Sequence, residues 1–173
     1  MSEAESVLPE TVDQNDLDRS NATVSTALNV PAFFHAILFA YQKKLSQVLG
    51  SGEAIFVHPV LETISKIEKG KGLTTIRGET LDEVLSNFAE DLLASQVVTK
   101  AWFEKKGTEG YTFHIEGCIF APHIHDLLKP KDVVCPLALV AMSIYQSETG
   151  KKVQLTKTEF SSEGAKTVIT AKH

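Results

Sequence analysis

TLDEVLSNFAEDLLASQVVTKAWFEKKGTEGYTFHIEGC, residues 80–118, changes its hydrophobic period once, and that change decides the fold class. Thr80 and Glu83 form an S/T-x-x-E capping box, which satisfies two of the amide donors a helix leaves open at its start. Leu81, Val84, Leu85, Phe88, Leu92 and Leu93 then recur at helical spacing. From Val97 the period drops to two. Residues 97–105 and 111–117 read as two strands joined by a turn that holds Gly107 and Gly110.

On the N-terminal side the chain reads as helical. Asn29 is a candidate N-cap and Pro31 suits a first turn. Phe33, Phe34, Ile37, Leu38, Tyr41, Leu45 and Val48 follow at helical spacing, and Gly50 closes the segment. A second helix is expected from about 51–53 to Lys69, broken or kinked near His58 because Pro59 lacks the amide donor a helix interior needs. Gly70-Lys71-Gly72 reads as a joint. On the C-terminal side a short helical segment is expected over 120–128. Cys135-Pro136 opens a further helix that ends at Thr149-Gly150. Residues 152–160 and 166–171 alternate as a hairpin turning over 161–164. Helices first and an antiparallel sheet after them define α+β, a helical layer packed on the sheet.

Charge narrows the function classes. The 173 residues carry a net charge of -5, and residues 1–28 hold Glu3, Glu5, Glu10, Asp13, Asp16 and Asp18 against Arg19 alone. The remainder balances at sixteen acids and sixteen bases. Residues 1–28 are therefore expected to be a disordered acidic tail, and 29–173 a single domain. A neutral body offers no electrostatic footprint for nucleic acid. No apolar run approaches the ~20 residues of a membrane span. Two cysteines, and a start without a basic n-region or apolar h-region, point to a reducing, cytoplasmic setting.

Chemistry concentrates in EGCIFAPHIHDLLKPKDVVC, residues 116–135. Both cysteines of the chain, Cys118 and Cys135, lie there with His123 and His125 between them, in the spacing C-x4-H-x-H-x9-C. Thiolate and imidazole are the donors zinc prefers. The expected set is Cys118, His125 and Cys135, with Asp132 or His123 as fourth ligand. A helix start at Cys135 favours thiolate, which also raises a second reading, a cysteine enzyme with Cys135 as nucleophile and His125 as base. Glycine-rich phosphate loops, G-x-S-x-G and H-E-x-x-H are absent, so a non-catalytic role is expected.

Trp102, His58 and Phe113 are candidates for the lining of an apolar ligand pocket. The helix over 31–49 carries Phe33, Phe34, Ile37, Leu38, Phe39 and Tyr41, more apolar surface than one ~100° stripe needs. A homodimer through that helix is the expected use of the surplus.

The order of elements, with E-G-C-I-F-A at 116–121, D-V-V-C at 132–135 and a terminal hairpin, resembles the 4-vinyl reductase domain superfamily over residues 30–171. That superfamily shares its fold with the small core subunits of the TRAPP tethering complex. Similar stand-alone archaeal proteins are described as hydrocarbon-binding. The resemblance implies a bound hydrocarbon or acyl chain, a zinc ion beside the pocket, and dimers. It places the family's strand-end cysteine at Cys118 and its acid-x-x-Cys element at Asp132 and Cys135. The family's final cysteine has no counterpart, since no cysteine follows Cys135, and His125 or His123 would have to replace it.

Overall fold

A computed structural model describes residues 30–49, 53–71, 76–122, 124–128 and 133–172. The expected tail, His123 and Asp132 lie outside them. The elements run α1 (Val30–Leu49), α2 (Glu53–Lys71), α3 (Leu81–Ala94), β1 (Lys100–Lys106), β2 (Gly110–Glu116), a single 3-10 turn (His125–Leu127), α4 (Pro136–Thr149), β3 (Val153–Phe160) and β4 (Gly164–Ala171). The strands form one antiparallel sheet in the order β1-β2-β4-β3. The fold is α+β, as the change of period predicts. Among the described residues no helix is long and apolar enough to cross a membrane.

Local chemistry fixes the element ends. Thr80 Oγ1 accepts the Glu83 amide, and the Glu83 carboxylate accepts the amides of Thr80 and Glu79, so the capping box closes. Gly150 ends α4 in the left-handed conformation, φ +65°, and its N–H donates to the Gln146 carbonyl. Helix α2 runs without interruption through Pro59, where the sequence predicts a break. Packing offsets the lost hydrogen bond: Val57 is buried on the neighbouring turn against Ser143 of α4, whose hydroxyl lies 3.1 Å from the Val57 carbonyl and 2.7 Å from that of Leu139. The short helix expected over 120–128 contracts to one 3-10 turn.

Helices α2, α3 and α4 cover one face of the sheet, α3 over β1 and the other two over β3. Helix α4 is the centre of this layer, with Ala138, Leu139, Ala141, Met142, Ile144 and Tyr145 all buried. The pleat sends alternate residues to this face. Phe113 of β2 is 0% exposed there, its ring stacked on Phe103 at 4.4 Å and tilted against Phe88 at 6.0 Å. The opposite face carries Trp102, Glu104, Thr112 and His114. On it Trp102, 39% exposed, stacks flat on His114 at 4.6 Å, and His114 Nε2 lies 3.3 Å from the Glu104 carboxylate.

Phe113→Ala should therefore cost about 3–5 kcal/mol in chemical denaturation followed by circular dichroism. Trp102→Ala, at a position 39% exposed on the opposite face, should cost under about 1 kcal/mol.

Candidate functional site

The site forms where α1 meets the segment between β2 and α4. One face of α1, Ala32, His35, Phe39 and Gln42, is buried, spaced three and four residues apart. Phe39 meets Phe160 edge-on at 5.5 Å, and His35 stacks on Phe120 at 5.3 Å. The Gln42 side-chain oxygen accepts the Val134 amide at 2.9 Å.

The polar centre is a pair of imidazoles. His125 Nδ1 lies 2.8 Å from the Gly164 carbonyl and 3.1 Å from that of Ser161, so it carries the proton and donates. Its Nε2 is left as an acceptor and takes the hydrogen bond from His35 Nε2 at 3.1 Å. Both rings are buried. Burial, with the neighbouring His125, lowers the His35 pKa to about 4, and burial lowers that of His125 against the pull of its carbonyl partners. The pair is neutral at pH 7.

Two glycines set this geometry. Gly117, φ +60°, turns the chain beneath Cys118, and a Cβ there would meet the Thr99 side chain at 2.0 Å. A Cβ on Gly164 would sit 1.9 Å from the Ile115 carbonyl, so only glycine lets β4 approach β2 where its own carbonyl receives His125.

Cys118 and Cys135 are both buried free thiols. Each faces two backbone amides, those of Phe120 and Ala121 for Cys118, and those of Ala138 and Leu137 for Cys135. Burial outweighs these amides. It raises the Cys118 pKa, and with Cys118 close by it takes that of Cys135 up to about 12. Both sulfurs are thiols at pH 7. A cysteine nucleophile needs an accessible thiolate and a free base, whereas Cys135 is 1% exposed and both nitrogens of His125 are bonded elsewhere.

Among the described residues no three of His, Cys, Asp and Glu converge as metal donors. Of the expected zinc set the structure brings the two thiols close together and turns His125 towards His35. The described donors do not by themselves fit a zinc ion, which would need two thiolates and an imidazole nitrogen without a partner. His123 and Asp132 lie outside the described residues.

The expected pocket residues do not meet. Phe113 is in the core, Trp102 is on the other face of the sheet, and His58 is exposed on α2. Sequence reasoning passed over His35. Its signal was available: it is the polar member of a 32-35-39-42 stripe, and a polar group buried on such a stripe needs a partner. No family model, curated protein or solved structure matches the chain.

A neutral buried pair fixes the sign of a pH effect. The unfolded imidazoles bind protons near pH 6.5 and the folded ones only below that, so the unfolded state takes up more protons as the pH drops. Folding stability should fall from about pH 6.5 towards pH 4. In His35→Phe, which keeps an aromatic ring beside Phe120, urea midpoints across that range should fall less steeply.

Proposed function

We propose that this chain is a non-catalytic interaction module that pairs with a second copy of itself through the outer face of α1. One observation carries the reading. Phe34, Leu38, Tyr41, Leu45 and Val48 line the side of α1 turned away from the buried stripe, and each is between 40% and 68% exposed. Their spacing of four, three, four and three residues is the seam of a two-helix coiled coil. With Val30 and Phe33 at its margin the face exposes about 600 Å² of apolar surface per protomer, taking ~200 Å² for a whole aromatic residue. Two such faces approach the roughly 1,200 Å² at which specific interfaces begin. A soluble monomer rarely leaves a patch of this size open.

A helix seam is self-complementary under a two-fold axis, which makes a second copy the simplest partner. Helix α1 contains no acidic residue, and Lys43 and Lys44 are its only full charges. The dimers implied by the resemblance to TRAPP core subunits agree with this reading. So does the filled core around Phe113, which suits a scaffold better than a carrier.

An apolar ligand is the second reading, on a separate observation. Ala36, Phe39, Ala40, Ile124, Leu128 and Val133 line a cleft of about 200 Å³ with Lys43 at its rim. It would take part of a hydrocarbon or acyl chain, with Lys43 near a carboxylate head. Its volume is below the roughly 300 Å³ at which pockets for whole small molecules begin, so pairing is preferred. Free Cys118 and Cys135 suit a reducing compartment such as the cytoplasm.

The wild-type protein should sediment as a dimer at micromolar concentration. Phe34→Glu and Tyr41→Glu should each weaken pairing by about 30-fold or more, the effect of losing ~2 kcal/mol at an interface centre, with circular dichroism unchanged. A wild-type monomer at 100 μM, on the order of the weakest stable pairs, would refute the proposal.

A further inference from the structure

We propose that the groove between α3 and β1 binds a small amphiphilic cation, an apolar body bearing one primary ammonium, with Glu90 as its counter-charge. This inference is independent of the pairing through α1. The groove has a volume of about 510 Å³, within the roughly 300–1,000 Å³ of small-molecule sites. Its floor is apolar. Leu85, Ala89 and Leu93 recur every four residues along one face of α3, and Ala101 and Phe103 are the residues that β1 turns towards the helices.

Charge along the groove is uneven, and that selects the ligand. At one end Asp82 accepts hydrogen bonds from Lys105 Nζ at 3.0 Å and from the Tyr111 hydroxyl. Lys105 Nζ also lies 5.9 Å from the centre of the Tyr111 ring. This end is a compensated ion pair that bridges the two walls. Glu90 lines the groove eight residues further along α3, about 12 Å away at ~1.5 Å per residue. Among the described residues Glu90 has no hydrogen-bond or ion-pair partner. No base stands three or four residues from it on α3, where Ser86, Asn87, Leu93 and Ala94 are found. Bases on the flanking segments are committed elsewhere, Arg77 to Asp91 and Lys100 to Glu116.

The one uncompensated charge of the groove is thus negative, and it stands beside the apolar floor at Ala89 and Leu93. A ligand that matches both features buries a short apolar body on the floor and sets a cation against Glu90. Because Glu90 is exposed, the pair forms at the rim and neither charge is fully desolvated. An anionic amphiphile would face Glu90 directly, and a neutral one would gain nothing from it. The bridge at Asp82 stops that end of the groove, which suits a short ligand better than a polypeptide running through.

The test uses the full chain and three probes of equal chain length, octylammonium, octanol and octanoate, at pH 7. Binding is followed by the methyl signals of Leu85, Ala89 and Leu93 in nuclear magnetic resonance, which separates this groove from the outer face of α1. Saturable shifts are expected with octylammonium at millimolar concentration. Octanol should bind about fivefold more weakly, the upper range for an exposed ion pair, and octanoate more weakly still. In Glu90→Gln octylammonium and octanol should bind alike, and in Glu90→Lys octanoate should bind better than octylammonium. Both substitutions are at an exposed position, so the melting temperature should not change. Octanol binding as tightly as octylammonium to the wild type would overturn the proposal. So would an unchanged preference in Glu90→Gln, shifts confined to α1, or no saturation by octylammonium.

Discussion

Helix α1 depends on a hydrogen bond between two buried imidazoles. An isolated twenty-residue helix is marginal in water, so α1 persists by docking one face. That face is narrow, and at its centre His35 Nε2 donates to His125 Nε2. The bond exists because backbone carbonyls of Ser161 and Gly164 hold the other nitrogen of His125 and so fix its tautomer. The β3–β4 turn, the 3-10 turn and α1 are thereby joined at one ring. Neither partner can be lost cheaply, since each would leave a buried polar atom without its complement.

The same constraint governs what the two cysteines do. Their neighbourhood has the donors of a metal or thiolate site, yet burial wins over the amides that face each sulfur. Neutral thiols beside a neutral imidazole pair make a packed junction between sheet and helices. The apolar seam on α1, by contrast, faces outward.

Much of the fold was legible from local rules. The capping box at Thr80 and Glu83, the Pro136 start and Gly150 end of α4, and the alternation in β1 and β2 each depend on a few neighbouring residues. Pro59 misled because its cost is local while the packing of Val57 and Ser143 that offsets it is not. Cys118 and Cys135 influence each other's ionisation, but their protonation depends on burial, which spacing does not encode. His35 lies ninety residues from His125, and no short-range pattern links them. The surplus apolar surface of α1 was visible, because Phe33, Phe34, Ile37, Leu38, Phe39 and Tyr41 are more than one ~100° stripe needs.

A double-mutant cycle on His35→Ala and His125→Ala, by urea denaturation at pH 7.5, tests the central claim most directly. If the imidazole pair anchors α1, the two substitutions should be coupled by at least about 1 kcal/mol. Costs that add to within roughly 0.3 kcal/mol would mean that the rings do not hold α1 together with the body, and would contradict the account.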